Sequence, residues 1–142
     1  AAGLLSNDDC QEYSTVYVKQ IVEAVQDENF TVILHNCGNK GQCTQAMIDS
    51  GAAALHFGNA VDMVATLEQC PSDLIVMGNI DPVGILKQAS SEDVYRITSD
   101  LLAKTAGYKN FVISSGCDMP PLVPEANIKA FYKAVADFNG VK

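Results

Sequence analysis

The sequence predicts an α/β domain, a parallel sheet with helices in its crossovers, and three observations carry that prediction. Short apolar runs recur at residues 31–35, 53–57, 74–79 and 110–114, each closed by a turn containing Gly, Asn or Asp. Segments with helical spacing separate them. The runs are close to continuously apolar instead of alternating, which is how strands covered on both faces read.

The elements follow in order. Val18, Ile21, Val22 and Val25 recur at helical spacing within residues 11–28, and Ser6 or Asp8 caps the start of that segment. The first strand, 31–35, leads into a helix at 41–50, and the second, 53–57, into a helix at 60–69. After the third strand, 74–79, a short helical piece is expected near 82–88 and a long helix at 91–106. Ser91, with Glu92 and Asp93 in the first turn, signals the start of that long helix, and Gly107 its end. The fourth strand, 110–114, is followed by a terminal helix at 124–138.

Four parallel strands leave two edges open. A (β/α)8 barrel takes roughly 250 residues, so four βα units in 142 residues read as about half of one. Residues 1–142 carry no internal repeat, linker or low-complexity stretch, which makes them a single domain. The chain opens on Ala1 instead of Met, and reads as a piece of something longer. Such a half-barrel is expected to be inactive alone, with two copies pairing over the open edges.

The apolar share of 48% is enough to bury a core, roughly two thirds of the unfolded surface for this size. With 17 acidic against 9 basic residues the net charge is -8, which disfavours nucleic acid and anionic membranes as partners. No apolar stretch approaches the roughly 18–20 residues of a membrane span, and the N-terminus lacks a signal-peptide profile. The five cysteines are odd in number and irregularly spaced, so a reducing cytoplasm is expected in place of a disulfide framework.

The polar residues gather beyond the carboxyl ends of the strands, where parallel α/β folds build their active sites. His35-Asn36-Cys37-Gly38-Asn39 follows the first strand and His56-Phe57-Gly58-Asn59 the second. Gly78-Asn79-Ile80-Asp81-Pro82 follows the third and Ser115-Gly116-Cys117-Asp118 the fourth. Residues two apart in an extended chain share a face, so His35 and Cys37 present a nitrogen and a sulfur side by side. With Cys117 on the same rim, the three make a His/Cys/Cys set that leaves the fourth tetrahedral position open, as in catalytic zinc sites.

Other readings stand beside it. His35 could be a histidine bonded to a backbone carbonyl, and the cysteines small buried hydrophobes. Cys37 and Cys117 could instead be the redox-sensitive pair of a noncatalytic sensor. The segment GNKGQC matches neither the Walker motif nor GxGxxG, so Gly38 and Gly41 are expected to make a turn. Cys43 is a core residue or a spare thiol, and Cys10 and Cys70 are packing residues. His56 is structural or a donor supporting the ligands. Asp81 either positions substrate or caps a helix beginning at Pro82.

The strings ILHNCGN, MGNIDP and SSGCDMPP, ahead of a terminal helix, resemble the carboxyl-terminal half of the uroporphyrinogen decarboxylase superfamily. The resemblance covers essentially the whole chain and implies that its strands are the fifth to eighth of a (β/α)8 barrel. One branch decarboxylates a porphyrinogen without a cofactor. The other is zinc-dependent and moves a methyl group between a corrinoid and a thiol such as coenzyme M; it is marked by His-x-Cys after the fifth strand and Cys after the eighth. His35, Cys37 and Cys117 match those positions one by one, and the His-bearing turn of the decarboxylases near Cys117 is missing.

The resemblance therefore implies the methyltransferase branch, with zinc on His35, Cys37 and Cys117, and uroporphyrinogen decarboxylase as the alternative. It implies catalytic roles for Asp81 and Asp118 and cofactor contacts for Asn59 and Asn79. Some zinc members carry an acid where Asn59 stands. Methylcobalamin is expected on a separate corrinoid protein, because no Asp-x-His-x-x-Gly pattern occurs in this chain.

Overall fold

A computed structural model describes residues 2–141. After a 3-10 turn (Ala2–Leu4) comes a helical run made of α1 (Asn7–Cys10), a π-helical turn (Gln11–Thr15) and α2 (Val16–Val25). Four strands follow, β1 (Ile33–Asn36), β2 (Ala54–Phe57), β3 (Ile75–Ile80) and β4 (Phe111–Ser115), in one parallel sheet of order β1-β2-β3-β4. Helices α3 (Thr44–Asp49), α4 (Met63–Gln69) and α5 (Ser91–Thr105) make the crossovers, and α6 (Glu125–Phe138) follows β4. This is an α/β fold with neighbouring strands in sequence order, consistent with a partial (β/α)8 barrel. Among the described residues no helix is long and apolar enough to cross a membrane.

Register decides what each face of the sheet carries. His35 pairs with His56, His56 with Met77, and Met77 with Val112. By the two-residue period, Ile33, His35, His56, Ile75, Asn79, Val112 and Ser114 lie on one face and Leu34, Leu55, Phe57, Val76 and Ile80 on the other. The second face is the core. Leu55, Phe57 and Val76 are fully buried there beneath Val22, Met47, Met63 and Leu67. A second cluster joins Ile80, Leu86 and Val94 to Ile113 and Phe131. Burying each large apolar side chain contributes roughly 1.5–3 kcal/mol, which makes this layer the main stabilising one. The first face is open, with Ile33 53%, Ile75 41% and Val112 44% exposed. It is the face that a closed barrel turns inward.

Three elements depart from the sequence reading, each for a local reason. The first helical run starts at Asn7, capped by the Ser6 hydroxyl on the Asp9 amide at 3.1 Å, and ends at Val25 instead of continuing to 28. Gln26 leaves the helix to tie strand starts together: its side-chain oxygen accepts from Val32 and Ala53, and its amide donates to the Gly51 carbonyl. Residues 82–88 form successive turns in place of a helix. The amides of Ile85 and Leu86 share the Asp81 carbonyl, while the carbonyls of Leu86 and Ala89 accept from the buried Asn127 side chain. The long helix is capped by Ser90, not Ser91, because Ser90 stands three residues before Asp93, whose amide it accepts and whose carboxylate it reaches.

Candidate metal centre

The centre is built from the ends of the two outer strands and braced by β2. His35 is the third residue of β1, opposite His56 in register. Its Nδ1 lies 3.1 Å from the His56 carbonyl oxygen, and the two rings sit 4.6 Å apart, tilted by 36°. A carbonyl only accepts, so Nδ1 carries the proton and Nε2 keeps the lone pair a metal needs.

Cys37 follows β1 and opens a tightly held loop. Gly38 and Gly41 take positive φ, 78° and 105°, conformations that favour glycine. Between them the buried Asn39 side chain accepts from the amides of Gly41 and Cys43. Two glycines then let the neighbouring loops close in. Gly58 packs beside Cys37, and at Gly116 a β-carbon would stand 2.6 Å from the Asn59 amide nitrogen. Gly116 donates to the Ile80 carbonyl at 2.7 Å and delivers Cys117, whose sulfur lies 3.8 Å from that of Cys37.

In a flat sheet, adjacent strands stand about 4.8 Å apart, so β1 and β4 would be roughly 14 Å apart. The sulfurs meet because the ends curl inward. His56 holds the curl: its Nε2 lies 3.1 Å from the Ser114 hydroxyl and donates to the Ser115 carbonyl at 2.7 Å, reaching β4 past β3. The ligand atoms of His35, Cys37 and Cys117 all fall within 4.8 Å of one another, a convergence of soft donors suited to a transition-metal ion. His35 and Cys37 are exposed and Cys117 is half-buried, so the group opens to solvent. The adjoining Cys117 thiol, and then burial, push the Cys37 thiol above its ordinary range.

The other sequence candidates occupy the same rim with separate tasks. Asn79 donates its side-chain amide to the carbonyls of Gly58 and Val61, holding the loop after β2. The Asp81 carboxylate accepts from the amides of Val83 and Gly84, fixing the turns after β3. Asn59 and Asp118 are exposed. Cys70 is buried, while Cys10 and Cys43 are buried together away from the three donors. Ser114 was not singled out by sequence. Its one available signal is parity with Gly116 and the strand-end position, which put it on the face of His56.

Residues 1–138 match the family described as uroporphyrinogen decarboxylase (URO-D). The chain belongs to this family. Among its relatives, a methylcobamide:CoM methyltransferase of Methanosarcina acetivorans is 27% identical over 135 residues, covering 95% of this chain and 38% of that protein. A uroporphyrinogen decarboxylase of Cellvibrio japonicus is 31% identical over 141 residues, covering 96% and 39%. A solved methyltransferase structure from Methanosarcina mazei shares the fold with a TM-score of 0.82 at 21% identity, over 95% of this chain and 38% of its own. The chain thus spans about two fifths of the length of these relatives and of the solved structure.

Proposed function

We propose that the chain forms the metal-holding part of a methyltransferase that moves a methyl group between a corrinoid and a small-molecule thiol, with zinc on His35, Cys37 and Cys117. One observation carries this reading. Zinc–sulfur bonds of about 2.3 Å in a tetrahedron separate two sulfurs by about 3.8 Å, and those of Cys37 and Cys117 are 3.8 Å apart. Two sulfurs and a nitrogen also favour zinc over calcium or magnesium, which take oxygen ligands.

Three protein ligands leave one position for substrate. Zinc supplies a charge that stabilises a bound thiol as its thiolate near neutral pH. The residues of this chain contribute the following. Cys37 and Cys117 enter as thiolates, and their charges offset the dication so that a third sulfur stays nucleophilic. Their protons leave as the ion enters, so occupancy falls with falling pH. His35 is held by the bond from its Nδ1 to the His56 carbonyl, which leaves Nε2 with the lone pair to offer the ion. Asp118, exposed beside Cys117, is assigned to the thiol and Asn59 to the corrinoid side; Asn79 and Asp81 act through the loops they hold.

The corrinoid is carried by a separate protein on this reading. The methylcobamide:CoM methyltransferase relative supports it. Decarboxylase relatives at 30–31% identity keep uroporphyrinogen decarboxylation as the second reading.

Metal analysis of the full-length protein and of its Cys37→Ala and Cys117→Ala variants is the test. The parent is expected to carry zinc that both variants lose; equal zinc in all three overturns the assignment. Uroporphyrinogen decarboxylation by metal-free protein selects the second reading, and thiol-dependent demethylation of methylcobalamin the first.

A further inference from the structure

Cys10 and Cys43 take no part in the metal centre. Cys10 ends α1 and Cys43 immediately precedes α3; both are buried, 3% and 0% exposed, in a small apolar cluster with Leu5 and Ala46. Their sulfurs lie 2.8 Å apart, within about 1 Å of the roughly 2.0 Å of a disulfide bond. We propose that Cys10 and Cys43 join in a reversible disulfide, formed with a low-molecular-weight disulfide as oxidant, which fastens the amino-terminal segment to the loop carrying Cys37.

The sulfurs are brought together by a seam that exists without the bond. The Thr15 hydroxyl donates to the Ala46 carbonyl at 2.8 Å, and the Asn7 side-chain oxygen accepts from the Ala46 amide at 3.0 Å. Gln11 donates to Asp49, and Gln42 to the carbonyl of Gly3. Gly3 itself packs so closely on the metal-site loop that a β-carbon there would collide with the Cys37 carbonyl. The amino-terminal segment is therefore a cover over the backbone of Cys37, and a bond at Cys10 and Cys43 pins that cover. Burial, and then the adjoining Cys10 thiol, push the Cys43 thiol up to about 12, so exchange starts when the segment opens or while the chain folds.

The chemistry balances. One protein sulfur, as thiolate, attacks the small disulfide and expels a small thiol; the second attacks the mixed disulfide and expels the other. Two protein S–H bonds and one small S–S bond are replaced by one protein S–S bond and two small S–H bonds. Two electrons pass to the small disulfide, and the two protons end on the thiols released.

The test is to refold the reduced full-length protein in glutathione buffers from reducing to oxidising, alkylate it, and map its peptides without reduction. A Cys10 peptide joined to the Cys43 peptide is expected, lighter than the separate thiols by about 2 Da, the mass of two hydrogens. The oxidised parent is also expected to resist proteolysis between residues 2 and 15 several-fold longer than its reduced form or a Cys10→Ala variant. Recovery of both residues alkylated in folded protein across all buffers, or paired only with other cysteines, overturns the proposal. The linked peptide is read on the parent, so the test stands even where a variant fails to fold.

Discussion

The His35 Nδ1 proton is held by the backbone of its cross-strand partner, His56, 3.1 Å away, while the ring of His56 is itself fixed by the end of β4. One residue thus orients the proposed ligand with its main chain and sets the sheet's curl with its side chain. His56→Ala keeps the carbonyl but removes the ring. The variant is expected to stay folded by circular dichroism and to bind zinc about 10- to 100-fold more weakly in a chelator competition. Unchanged affinity would show that the ring has no bearing on His35.

Two neighbouring glycines make a paired prediction. A β-carbon at Gly116 meets the Asn59 amide at 2.6 Å, whereas one at Gly58 meets nothing nearer than 3.5 Å. Gly116→Ala should push the loop of Cys117 outward and weaken zinc binding by about tenfold or more, while Gly58→Ala leaves it unchanged. Equal affinities for the two variants, by the same competition, contradict the close approach.

Thr98 is fully buried, and its hydroxyl has no hydrogen-bond partner among the described residues. Thr98→Val removes that orphan with little change of shape. Unfolding in urea is expected to report a gain of about 1 kcal/mol. A loss would mean that the hydroxyl is satisfied in solution.

Burial raises the Cys70 thiol from its ordinary value of about 9 to about 11. Below pH 9 the thiol is protonated in folded and unfolded chains alike, so its contribution to stability is fully present. Between pH 9 and about 11 the unfolded chain releases the proton first, and stability falls. Under reducing conditions, urea midpoints of the parent should therefore drop relative to Cys70→Ala across that window. Parallel curves for the two proteins would contradict the raised value.

Strand positions were legible in the sequence because each strand is a short apolar run between turn residues, and the convergence of polar groups on one rim followed from parallel order. The spacing of His35 and Cys37 was legible for the same reason. The supports were not. Gln26 tethering two strand starts, Ser114 beneath His56, and the meeting of Cys10 with Cys43 all depend on curvature and on packing between distant segments. Periodicity states which face a side chain occupies, but not how far the sheet bends to bring that face together.

The link from His56 to the Ser115 carbonyl works like a tie-rod across an arch. It spans an intervening strand with protein atoms alone and stops two residues short of Cys117. If the rim holds an ion as proposed, a mouth whose span is set in this way would have a preferred ionic radius. On the proposed metal-holding reading, a larger soft cation would have to spread the two sulfurs against the tie, so size would join softness in deciding which ion binds there best.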